Sequence, residues 1–125
     1  MSTTITVEQA NKMLPLVRSI VSDIMGMWEQ ILTKRTELAC IEKEKVSINR
    51  LTELKEELNY IIDKINGYIK EIEQLGCYVE EFKRGIINFP SLRSGRKVFL
   101  CWLPTDKTVT HYHELDETCN YRVKI

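Results

Sequence analysis

Residues 51–75 read LTELKEELNYIIDKINGYIKEIEQL, and Gly76 follows at once. Leu51, Leu54, Leu58, Ile61, Ile65, Tyr68, Ile72 and Leu75 recur at steps of three and four, the spacing that lines one face of an α-helix as a coiled-coil seam. Glu53, Lys55, Glu56, Glu57, Lys64, Lys70, Glu71 and Glu73 fill the other faces, so the helix meets water on its back and a partner on its front. Gly76 stands where a C-terminal cap belongs. The partner lies upstream. Val7, Ala10, Leu14, Val17, Val21, Ile24, Trp28 and Ile31 repeat the same steps, Arg35 interrupts them at a seam position, and Leu38 resumes. Thr6-Val7-Glu8-Gln9 opens this run as a capping box. Lys43 to Arg50 is left for the reversal, with Ser47 placed to cap the second helix. The two runs predict an antiparallel helical hairpin over residues 6–75, each long helix about 35–40 Å at 1.5 Å per residue. Pro15 sits inside the first run, which predicts a kink there, or a short helix followed by a long one.

After Gly76 the period changes to two. Tyr78, Glu80 and Phe82 alternate with Val79 and Glu81; Gly85 marks a turn or bulge, Pro90 ends the next apolar run, and Ser94-Gly95 is a turn. Val98 to Leu103 is apolar on both faces, as a central strand covered on both sides should be. Pro104-Thr105-Asp106-Lys107 reads as a turn, Val109 to His113 as the returning strand and Tyr121 to Ile125 as a short edge strand. Helices first and strands after give an α+β class: a hairpin followed by a small antiparallel sheet over residues 76–125.

The length of 125 residues fits one domain. With 43% hydrophobic and 29% charged residues the composition is that of an ordinary globular protein. Eighteen basic residues balance eighteen acidic ones, so nucleic-acid binding would need a local patch and is disfavoured for the molecule as a whole. No apolar run approaches the roughly 18 residues of a membrane helix, and the start has no signal-peptide pattern. The four cysteines, Cys40, Cys77, Cys101 and Cys119, form no C-x-x-C pair. The expectation is a cytoplasmic protein with reduced thiols, no disulfide framework and no membrane partner.

Thr6 to Asn11 followed by Leu14-Pro15 resembles the opening of an uncharacterised prokaryotic family, domain of unknown function 2203. Gly76, Val79, Arg84-Gly85-Ile86-Ile87, Phe89-Pro90, Gly95-Arg96, Cys101-Trp102, His113-Glu114-Leu115 and Arg122 extend the resemblance over nearly the whole chain. It implies no activity. The chain departs from the family's pattern twice. Asn88 stands where the family commonly has aspartate, which takes a charge away from that position. Thr118-Cys119-Asn120-Tyr121-Arg122 stands where the family tends toward Gly-Phe-Ala-Gly-Arg, which removes two glycines.

Four constellations carry possible chemistry. His111 and His113 are two apart, so on a strand they share a face. Cys101 or Cys119 and Asp116 complete a candidate set for zinc or another divalent metal. The alternative is one surface histidine and one buried, hydrogen-bonded histidine beside Trp102. Next, Arg84, Arg93, Arg96 and Lys97, with Lys83, lie in a stretch from Phe82 to Thr105 that holds no acid. Together with Trp102 they form a candidate face for an anionic ligand or RNA. The alternative is that these bases pair with Glu80, Glu81, Glu114 and Glu117. Third, Cys101 or Cys119 beside a histidine would make a thiolate–imidazole pair, the pattern of a nucleophilic enzyme; no nucleophile turn surrounds either cysteine, and an enzyme is disfavoured. Fourth, the hairpin's apolar stripe is wider than a two-helix seam. Met13, Ile20, Met25, Met27, Ile62 and Ile69 flank it, which predicts either cover from the sheet or a homodimer in which two hairpins form a four-helix bundle. The leading expectation is a self-associating interaction or scaffolding module, with another protein as a further partner of the hairpin. The alternative expectation is a metal, anionic-ligand or RNA site on the sheet.

Overall fold

The computed structural model describes residues 4–44 and 48–125. Helices α1 (Val7–Glu44) and α2 (Ile48–Gln74) precede strands β1 (Tyr78–Glu81), β2 (Ile86–Arg93), β3 (Arg96–Trp102), β4 (His111–Glu114) and β5 (Val123–Lys124), with a 3-10 turn at Cys119–Tyr121 before β5. The strands pair antiparallel in chain order, β1-β2-β3-β4-β5. The expected α+β arrangement of a helical hairpin followed by a small antiparallel sheet is what the chain forms.

The capping box closes both ways: the Gln9 amide donates to Thr6 Oγ1 at 3.1 Å and the Thr6 amide donates to Gln9 Oε1 at 2.9 Å. From there α1 runs 38 residues, roughly 57 Å, well beyond the expected length. Pro15 does not break it. Its ring faces solvent while Leu14, Val17, Ile20, Val21 and Ile24 beside it are buried, and that packing outweighs the roughly 3 kcal/mol an interior proline costs. The Ser47 cap lies outside the described residues. At its far end α2 closes with the Gly76 amide donating to Glu73 O at 2.9 Å.

The core divides in two. Near the sheet, Leu14, Val17, Ile20, Val21, Ile24 and Ile72 of the helices meet Ile87, Phe89, Leu100 and Trp102. Farther out, Ile31, Leu58, Ile61 and Ile65 form a thinner cluster between the helices, with Trp28 at its edge, 5.1 Å from the Phe82 ring between centroids, and Leu54 also buried on α2. The wide stripe is mostly absorbed: Ile20, Met13 and Met25 go to the first cluster, Met27 and Ile69 to the second, and Ile62 stays exposed. Arg35 is also exposed. Lys34, not Arg35, turns toward α2 and pairs with Glu57 at 2.8 Å, because an α-helix drifts against a strict heptad. Arg50 adds bonds to Glu37 at 2.8 and 3.1 Å.

Pro90 does not end its strand, contrary to expectation. It pairs with Phe99 inside β2. Its carbonyl points away from β3 and accepts from the Ile5 amide at 2.7 Å, so its missing N–H faces an edge that β1, paired only as far as Asn88, has already left. Ser94 and Gly95 both take positive φ, 53° and 76°, as the two-residue type I′ hairpin requires. β3 is central. Leu100 and Trp102 face the helices; Cys101 faces the other way into a small second core with Ile86 and Cys119.

That second core corrects the expectation of reduced thiols. Cys101 and Cys119, 18 residues apart, are joined by a disulfide with Cα atoms 6.1 Å apart. Cys40 is free and exposed, and Cys77 is free and buried. Burial pushes the Cys77 thiol up to about 12, which leaves it a small hydrophobe.

Candidate functional site

Strand alternation sorts the candidate residues onto two faces. On the outer face, His111 pairs with Cys101 and His113 with Phe99, so the two histidines do share a side with Cys101. The metal set still does not assemble. Cys101 and Cys119 are committed to each other, Asp116 is exposed in the turn after β4, and His111 Nδ1 lies 2.8 Å from Thr110 Oγ1. Among the described residues no group of three or more His, Cys, Asp or Glu side chains is arranged to hold a metal ion. The thiolate–imidazole pair is absent for the same reason.

His113 is instead the centre of a buried polar network. Its Nδ1 lies 2.8 Å from the Glu114 carbonyl, and its Nε2 lies 3.1 Å from Asn88 Oδ1 and 3.2 Å from Glu80 Oε1. Asn88 Nδ2 donates to Glu80 Oε1 at 3.0 Å, which turns its oxygen toward the ring. The Cys119 amide donates to Glu80 at 3.1 and 3.3 Å. The segment after β4 thus lies over the network and is held there by the disulfide. This is the buried, bonded histidine of the alternative reading, but on the face opposite Trp102. Asn88 bridges His113 and Glu80. Sequence reasoning took Glu80 only as an acid partner for the basic stretch, whereas its partners here are His113, Asn88 and the Cys119 amide. Its place two residues before Phe82 in an alternating run was the available signal.

The basic run does not converge. Arg84 sits in the β1–β2 turn, ion-paired with Glu81 and bonded to Asn120 Oδ1 at 3.3 Å. Arg93, Arg96 and Lys97 sit at the other end of β2, roughly 25 Å away at 3.3 Å per residue. Arg96 pairs with Glu114 at 2.7 Å, Lys97 is exposed, and Arg93 stacks over Tyr112 with its Cζ 4.4 Å from the ring centroid. Trp102 is fully buried and donates from Nε1 to Asp106 O at 3.0 Å, so no base can stack on it. Two of the bases have the acid partners that the alternative reading named.

A second polar cluster closes the β3–β4 turn. Arg122 donates to Asp106 at 2.6 and 3.3 Å, the Leu103 amide donates to Asp106 Oδ2 at 3.1 Å, and Arg18 reaches from α1 to Pro104 O at 3.0 Å. Burial alone would raise the Asp106 carboxyl, but the Arg122 bonds, the Leu103 amide and the nearby charges together hold it below its ordinary value. Sequence reasoning had read Asp106 as a turn residue and nothing more.

A long helical hairpin carrying a five-stranded antiparallel meander, with its polar networks satisfied internally, defines the architecture as α+β. The chain belongs to the family described as "Uncharacterized conserved protein (DUF2203)", whose family model matches residues 4–125, as the sequence resemblance implied. No curated protein and no solved structure matches it. Among the described residues no helix is long and apolar enough to cross a membrane.

Proposed function

We propose that this chain works as a single-domain, self-associating interaction module of the cytoplasm, not as an enzyme, and that its coiled-coil hairpin is the contact surface. The observation that carries this reading is the outer half of the hairpin. Its buried core is Ile31, Leu54, Leu58, Ile61 and Ile65, edged by half-buried Met27, Trp28, Leu38 and Ile69, while Leu32, Tyr60 and Ile62 on the same arm are 41%, 62% and 42% exposed. The occupant we assign is a second copy, giving a homodimeric four-helix bundle. Arg35, Lys55, Glu56 and Asp63 are exposed on the arm with no ion-pair partner among the described residues. Both signs on one surface suit an isologous contact, and a formal net charge of zero removes long-range repulsion between copies.

Both sulfurs of the Cys101–Cys119 bond are buried under the segment it fastens, which slows attack by cytoplasmic thiols. The reading is tested by sedimentation equilibrium of Ile62→Glu beside Arg96→Ala. The first should dissociate the dimer and the second should leave it intact. Equal association of both variants with wild type would refute the role of the arm.

A further inference from the structure

We infer that the sheet's inner face carries a binding pocket for a small monocarboxylate with an apolar body, at the end of β2 where α1 begins. Ile87, Phe89, Ser91 and Arg93 alternate onto the side of the sheet that faces the helices. The first two are buried core. The next two are polar, at the level where the helical cover starts at Val7. A pocket of about 220 Å³ opens there, its apolar wall made by Ile5, Val7, Leu92, Val98, Leu100 and Ile125.

Beside Thr4, Tyr112 and Thr6, whose Oγ1 already accepts from the Gln9 amide, its polar side chains are Ser91 and Arg93. Ser91 is only 5% exposed, and its side chain makes no hydrogen bond among the described residues. Arg93 has no carboxylate partner among them. Its guanidinium lies over the Tyr112 ring, which holds it at the pocket wall. A planar fork fixed in this way matches a carboxylate bidentately, and the Ser91 hydroxyl can donate to the same group. The positive end of α1 adds favourable potential; Glu8, the acid of its first turn, is exposed and not part of the wall. The hydrocarbon of the ligand would lie on these aliphatic walls. Few convergent polar groups in an apolar hollow is the usual composition of a small-molecule site.

The test titrates benzoate and hexanoate, and their uncharged counterparts benzamide and hexanol, into the whole chain, followed by calorimetry and amide NMR shifts. The acids should bind at least about ten-fold tighter than the uncharged pair, and the shifts should centre on Val7, Ser91, Leu100 and Tyr112. Arg93→Gln should weaken the acids by about ten-fold or more, and Ser91→Ala by a smaller factor. Should Arg93→Gln fail to fold, Ser91→Ala and the acid-against-amide ratio decide. Absence of binding by either acid at about millimolar concentration, equal binding of acid and amide, or shifts centred elsewhere would each overturn the site.

Discussion

Gly85 joins β1 to β2 where the sheet lies against α1, and replacing it by alanine probes that contact directly. Its φ is +67°, and a Cβ built there would stand 2.6 Å from Val21 Cγ1, 2.6 Å from Met25 Sδ and 3.1 Å from Pro104 Cγ. Met25 can swing its thioether aside, but Val21 is β-branched and stiff, on a buried helix face. Gly95 provides the control, since its φ is +76° and nothing lies within 4 Å of the Cβ position. Both substitutions cost the left-handed backbone, about 1–2 kcal/mol. Gly85→Ala adds the overpacking, about 1–3 kcal/mol, for a total of about 2–5 kcal/mol. Urea unfolding of the two variants measures this. With a slope of about 1–3 kcal/mol per molar, the Gly85→Ala midpoint should fall further than that of Gly95→Ala, at unchanged slope. Equal midpoints would mean that the turn does not rest on Val21, and that the packing of the sheet on α1 is described wrongly.

The Cys101–Cys119 bond closes a loop of 18 residues, which is worth about 3 kcal/mol by chain entropy. Cys119→Ser and wild type reduced while unfolded in denaturant should therefore melt lower by the same amount, and a thiol titration of unreduced, unfolded wild type that finds all four cysteines free would deny the bond. The Asp106 carboxyl lies below its ordinary value of 3.8 in the folded protein. Its contribution is then complete above the unfolded value and is lost as pH falls through the lower, folded one. Asp106→Asn should cost about 1.5–3 kcal/mol at neutral pH and should flatten the loss of stability below about pH 4; urea unfolding curves of mutant and wild type that stay parallel from neutral to acid pH would contradict this.

The hairpin was legible because burial of one face repeats every 3.6 residues, and Leu51 to Leu75 keeps that rhythm without interruption. The sheet was legible because Gly85, Ser94-Gly95 and Pro104–Lys107 punctuate alternating runs. What escaped notice depended on contacts that sequence distance does not encode. Pro90 looked like a stop, yet Ile5 from the start of the chain takes the edge beside it. The basic stretch looked like one patch, but an extended strand carries Arg84 and Arg93 to opposite ends of the sheet. Lys34 displaced Arg35 from the inter-helix contact through the slow drift of the helix against the seven-residue repeat. Spacing did not reveal that Cys101 would meet Cys119, nor that Glu80 would lie beneath the segment bearing Cys119 and beside His113. The pocket at Ser91 and Arg93 follows from β2 outrunning the helix that covers its first half.

The proposal that the hairpin is a self-association surface is tested most directly by the mass of the wild-type protein in solution. Multi-angle light scattering over a micromolar concentration series should give twice the 14.7 kDa of one chain, and Ile62→Glu should bring the mass back to that of a single chain. A wild-type mass of one chain across the series would contradict the account.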